Sequence, residues 1–287
     1  MAKTPSLEDR INIFFRGLER RSSITAFPCL GYLSRELNFL VDKAEKTNTE
    51  SLNVTPKISS LYATAAVEIW LRGIHSFLIS SSLTDVSPIW ASVSGYYASH
   101  YCIRGLAHLL GFFQLHRKKR IVRIDIEGGK YCCYFDRKGG SDREHKYYWK
   151  VVKNNTPFEK DPFFTLNEEN SGDSDSGHRN IANYYDHING FPNFHPLSEE
   201  TLRNRIDHLS KIELSSVPIP RKERYPDVEN VQLIAYHRII KFRSFLDEIL
   251  GGKNRFWGTH RNSSWCKDYL NFQVVRPRFV EVYESKI

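Results

Sequence analysis

The segment from Ile89 to Phe113 has helical spacing and is apolar on most faces of that helix. A helix of that kind has to be enclosed by other elements on nearly every side, so this one segment demands a layered helical architecture around it. Suitable partners precede it. Leu7 to Glu19 carries Ile11, Phe14, Phe15 and Leu18 at helical intervals, and a second helix is expected after the Pro28–Gly31 turn through Leu33, Leu37, Leu40 and Val41. A long third runs from Ile58 to Ile79 with Leu61, Ala65, Trp70, Ile74 and Phe77 as its core stripe. The 287 residues suffice to bury such a core.

The period then changes. From Arg120 to Phe135 the residues alternate, with Gly128-Gly129 as a turn, and Tyr147 to Val152 forms a further apolar run after a turn region at Asp136–Asp142. This predicts a small antiparallel β meander of three strands. Asn167 to Gly177 is polar, acidic and without an apolar anchor, which reads as a surface loop. Helical periodicity returns at Asn180–Ile188, at Glu199–Ile212 and at Val231–Leu250, where Gly251-Gly252 stops it. The expected organisation is therefore bundle helices over 1–115, a β-rich insertion over 116–165, a loop over 166–178 and completing helices over 179–287, with no internal repeat.

Composition narrows the class. No apolar stretch approaches the roughly 20 residues that span a bilayer, and the first residues lack the apolar core of a signal peptide; the expectation is a cytoplasmic protein. The five cysteines have no C-x-x-C spacing, and adjacent Cys132 and Cys133 would face opposite ways in a strand, so no metal site is expected. The net charge of +8 favours an anionic partner such as nucleic acid.

One helix carries chemistry. Ser198 is suited to cap it, Glu199 and Glu200 suit its positive end, and Leu202, Ile206 and Leu209 form its apolar stripe. Asn204, His208 and Lys211 fall on the opposite face, with Asn204 about 40° and Arg203 about 140° around the helix from His208. A guanidinium matches phosphoryl oxygens, an imidazole moves protons near neutral pH, and an amide can orient either. These are groups for phosphodiester chemistry. The spacing from arginine to histidine recurs at Arg255–His260, but there phenylalanine follows the arginine and a glycine interrupts the segment.

Leu202-Arg203-Asn204-Arg205-Ile206-Asp207-His208 resembles the R-N-x-x-x-H signature of the HEPN superfamily, helical-bundle proteins that include many metal-independent ribonucleases. Ser94-Gly95-Tyr96-Tyr97-Ala98-Ser99-His100 through Leu110 resembles the tyrosine-rich helix found upstream in that family. The resemblance covers these two helices, and the chain departs from one toxin subgroup in lacking a tyrosine two positions after His208.

What the resemblance implies is a mainly α fold, a HEPN-like helical bundle with a small antiparallel β insertion. It further implies an endoribonuclease that needs no metal or cofactor, with Arg203, Asn204 and His208 as catalytic residues. Two such helices would face each other across a homodimer, supplying two histidines for two proton transfers. A role as a toxin or antiphage defence effector, with RNA as substrate and an antitoxin or defence-system partner, follows from the same resemblance. The basic run Arg117, Lys118, Lys119 and Arg120, with Arg123 and Lys211, offers RNA contacts; for the run leading into the meander, a charged strand edge that resists aggregation is the slightly favoured reading. Two other classes remain open: a non-catalytic HEPN-like module that binds RNA or a nucleotide, and a helical adaptor on which these residues are ordinary surface. His100 and His108, on the apolar helix, read as core or interface residues.

Overall fold

Leu33, Leu37, Leu40, Val41 and Ala44 recur at intervals of a helical turn, and all five are buried along α1 (Cys29–Lys46) in the computed structural model. That structure describes residues 29–55, 57–137, 144–154, 199–212 and 228–250. The helices expected at Leu7–Glu19 and Asn180–Ile188, the acidic segment Asn167–Gly177 and the pair at Arg255–His260 lie outside the described residues.

The remaining elements are β1 (Ser51–Val54), α2 (Lys57–Ser82), α3 (Pro88–Leu109), β2 (Phe112–Leu115), a 3₁₀ turn (His116–Lys118), β3 (Arg120–Glu127), β4 (Lys130–Asp136), α4 (Glu144–Lys153), α5 (Glu199–Ser210) and α6 (Val228–Leu250). Among the described residues the protein is thus mostly helical, with one small antiparallel sheet. The chain forms two compact units. One takes the described residues within 1–69, 103–159 and 246–265, the other those within 70–102, 160–245 and 266–287.

The first unit holds the sheet, in the order β1-β4-β3-β2. Gly128 and Gly129 both have positive φ, as a two-residue type I′ hairpin requires, and they set the register Glu127↔Lys130 between β3 and β4. Three differences from the sequence expectation stand out. Tyr147–Val152 is helix, not strand: Tyr147, Tyr148, Val151 and Val152 are buried at the spacing of a helix face, a pattern that a short aromatic and β-branched run shares with a strand. The third strand is instead β2, because Gly111 (φ 85°) ends the preceding helix short of Phe113. The fourth is β1, whose Ser51 pairs with Tyr134. Cys132 and Cys133 do lie in a strand, and burial pushes the Cys133 thiol up to about 12. At the N-terminus of α1 the buried Glu68 carboxylate accepts a hydrogen bond from the Leu30 amide at 2.9 Å, which occupies a donor the helix itself leaves unpaired.

His108 lies in the core of this unit. Its Nδ1 donates to the Phe112 carbonyl at 2.9 Å, its ring stacks on Phe113 at 4.9 Å, and Tyr62 and Tyr148 meet it edge-on. Its Nε2 has no hydrogen-bond partner among the described residues. Burial, with the Arg104 charge adding, pushes its pKa down to about 3 from an ordinary 6.5. The unfolded chain therefore takes up a proton that the fold refuses. Stability is expected to fall as pH drops from about 6.5 toward 3, by at most about 1.4 kcal/mol per pH unit from this group. Urea midpoints at pH 7, 5.5 and 4.5 check this: the advantage of the unmodified protein over His108→Phe should shrink as the pH is lowered.

Lys119, between the 3₁₀ turn and β3, has φ 50° and ψ 45° in the left-handed region. That conformation costs about 1–2 kcal/mol for a residue with a Cβ, partly offset against glycine by glycine's greater chain entropy. Lys119→Gly is expected to raise stability by less than about 1 kcal/mol in urea unfolding.

The secondary-structure elements described in the second unit are all helices. Trp70 is fully buried, stacks on Phe242 with ring centroids 5.7 Å apart, and donates Nε1–H to the Ile239 carbonyl at 3.1 Å. Gly95 lies where α3 runs close against α2 and α6. A Cβ there would stand 2.9 Å from Val231 Cγ1 and 3.1 Å from Ser80 Oγ, so the helices meet where only a hydrogen fits. No helix among the described residues is long and apolar enough to cross a membrane.

Candidate active site

Of the stripe expected on α5, Ile206 and Leu209 are buried and the side chain of Leu202 lies outside the described residues, while Asn204, Asp207, His208 and Lys211 are exposed. Asn204 precedes His208 by one turn on the same face. Arg203 lies within α5, and its side chain is outside the described residues. His208 occupies the last turn, the end of a helix dipole that favours a positive charge, and the turn closes with the Lys211 amide donating to the His208 carbonyl at 3.2 Å.

A second helix reaches this histidine. Glu229, in the first turn of α6, brings Oε1 to 3.1 Å from His208 Nε2. Its other oxygen, Oε2, accepts from Arg205 Nη1 at 3.0 Å, and Arg205 Nε donates to Gln232 Oε1 at 2.8 Å. Gln232 is fully buried, and its Nε2 donates to Thr84 Oγ1 at 2.8 Å, to the Ser80 carbonyl at 3.0 Å and to Ser80 Oγ at 3.1 Å. Ser80 Oγ donates onward to the Ala91 carbonyl at 2.6 Å. His208, half exposed, thus ends a hydrogen-bonded chain rooted in the buried end of α2. The His208 hydrogen bond, assisted by Arg205 and opposed by partial burial, holds the Glu229 carboxyl below its ordinary value, so it is ionised at neutral pH.

Arg205, Glu229 and Gln232 are not among the residues the sequence singles out. The one signal available was Gln232, a polar residue inside the apolar run Val231–Ile234, which needs partners to be buried. Glu229, 21 residues from His208, reads only as a charge suited to a helix N-terminus.

The basic candidates divide. In the first unit Lys118 pairs with Asp42, Arg120 with Glu45 at 2.7 Å, and Arg123 Nε lies 3.1 Å from the buried Asp125 carboxylate while its guanidinium stacks over Tyr134. Arg117 and Lys119 are exposed and make no ion pair among the described residues. A cleft of about 600 Å³ borders Arg120 and sets Glu45, Glu50 and Asp136 against Arg120 and Arg137. Three carboxylates against two guanidinium groups make it a poor seat for a phosphate chain. Lys211, in the second unit, is exposed directly after α5. Among the described residues no three histidine, cysteine, aspartate or glutamate side chains are grouped to hold a metal ion.

Comparison with protein families, with curated proteins and with solved structures finds no match to this chain.

Proposed function

We propose that this chain is a metal-independent endoribonuclease of the HEPN type, acting through α5. The observation that carries the reading is His208: an imidazole on the R-N-x-x-x-H helix, half exposed yet held at one nitrogen by a carboxylate that a buried network fixes in turn. In the reaction the RNA 2′-OH attacks the adjacent phosphorus, the bond to O5′ breaks, and a 2′,3′-cyclic phosphate and a 5′-OH result. His208 transfers protons, Arg203 holds the phosphoryl oxygens as their charge grows, and Asn204 orients the phosphate or the imidazole. One helix supplies one such histidine, so the working form is a homodimer with two α5 helices facing one cleft.

An RNA contact is assigned to Lys211 beside the motif; in the other unit, Arg117 and Lys119 are the basic candidates left over, since carboxylates already compensate Lys118, Arg120 and Arg123. A cytoplasmic toxin or antiphage effector, restrained by an antitoxin or a defence-system partner, is the biological setting this activity suits.

The test is cleavage of labelled RNA in EDTA with analysis of the product ends. Cyclic phosphate ends from the unmodified protein support the reading. RNA binding without cleavage would favour a non-catalytic module, and neither binding nor cleavage a helical adaptor.

A further inference from the structure

We infer that Glu229 fixes His208 as its Nε2–H tautomer and so makes Nδ1 the atom that exchanges protons with RNA; this rests on the nuclease reading of α5. A carboxylate can only accept. At 3.1 Å from Glu229 Oε1, the neutral imidazole must carry its proton on Nε2, and the lone pair is then on Nδ1. The alternative tautomer would set two lone pairs against each other.

Glu229 has little freedom to turn aside. Arg205 holds its second oxygen at 3.0 Å, Gln232 holds Arg205 at 2.8 Å, and the Gln232 amide is oriented by three acceptors at the end of α2. Swapping the Gln232 amide end for end would face its NH₂ to a guanidinium and its oxygen to two hydroxyls and a carbonyl. The fold therefore settles the amide, the amide settles the guanidinium, and the guanidinium settles the carboxylate.

The proton balance is simple. As the 2′-oxygen bonds to phosphorus, its proton passes to His208 Nδ1, giving an imidazolium whose Nε2–H still points at Glu229. As the P–O5′ bond breaks, the imidazolium of the partner subunit supplies the proton that O5′ takes up. Glu229 is a positioning residue: it touches neither RNA nor a reacting atom, and it neutralises the charge His208 acquires.

The experiment uses the full chain with ¹⁵N-labelled histidine, taking the His208 signals as those missing from His208→Ala. Long-range ¹H–¹⁵N correlation above pH 8 should give the Nε2–H pattern for His208 in the unmodified protein and a mixture of tautomers in Glu229→Ala. Cleavage by Glu229→Ala should show kcat lower on the order of 10²-fold with KM unchanged, the effect of a misplaced reacting group. Glu229→Gln, which supplies one oxygen where two are needed, should fall between the two proteins and covers the case in which Glu229→Ala does not fold. An Nδ1–H pattern in the unmodified protein overturns the inference, as does full activity of either Glu229 variant; the nuclease reading survives both. If the unmodified protein leaves RNA intact, that reading falls and takes the catalytic role of Nδ1 with it, whatever tautomer is found.

Discussion

Replacing His208 by alanine is expected to lower metal-free RNA cleavage by about 10²–10⁴-fold while leaving the protein folded. The size follows from the chemistry: a positioned acid or base contributes that much, and in the proposed dimer both proton transfers depend on this residue. Folding should be spared because the side chain is 53% exposed and lies opposite the Ile206 and Leu209 stripe. What the fold loses is one contact to Glu229, whose second oxygen keeps Arg205. Cleavage and circular dichroism on the same samples check both halves. Arg203→Ala is the companion, expected to slow cleavage through loss of phosphoryl contact. Undiminished cleavage by the His208 variant would remove α5 from the chemistry altogether.

The largest expected effect on stability belongs to Trp70→Ala, at about 3–5 kcal/mol. Trp70 is fully buried, so truncation leaves a cavity where Phe242 has lost a stacked partner at 5.7 Å. Its hydrogen bond to the Ile239 carbonyl goes too, although that oxygen belongs to α6 and is accessible to the helix ladder. Against a total of about 5–15 kcal/mol for a folded protein, this loss can by itself unfold the chain. Trp70→Phe should cost less, since a ring still meets Phe242. Urea unfolding of the two variants separates the stacking from the volume.

The helices were legible because their apolar residues repeat. Leu33 to Ala44 and Ile206 with Leu209 occupy the faces that their spacing assigns, and Trp70, Ile74 and Phe77 are buried as their stripe requires. The hairpin of β3 and β4 was legible from Gly128-Gly129, whose positive φ angles few other residue pairs adopt. What escaped was decided by neighbours. Ser51–Val54 is four residues with two of them exposed, and it is a strand only because β4 lies beside it. Tyr147–Val152 has a composition that suits a strand and a spacing that suits a helix, and burial of 147, 148, 151 and 152 decides for the helix.

At the candidate site the chemical face of α5 was readable, with Asn204 and His208 on it. The residues that hold His208 were not, because a contact between positions 208 and 229 depends on how two helices pack and leaves no local pattern. Arg205 is the instructive case. It sits inside the motif as an unremarked letter, yet it is the described arginine that bonds to the partner of His208.

The hydrogen-bonded chain from Ser80 through Gln232, Arg205 and Glu229 has a consequence for binding entropy. A half-exposed histidine ordinarily samples several rotamers, and ordering such a side chain on association costs about 0.5–1.5 kcal/mol. In the arrangement inferred above, that ordering is completed when the chain folds, through the Glu229 contact. Whatever settles on this face of α5 meets a ring whose orientation is already chosen, and can spend its contacts on its own alignment.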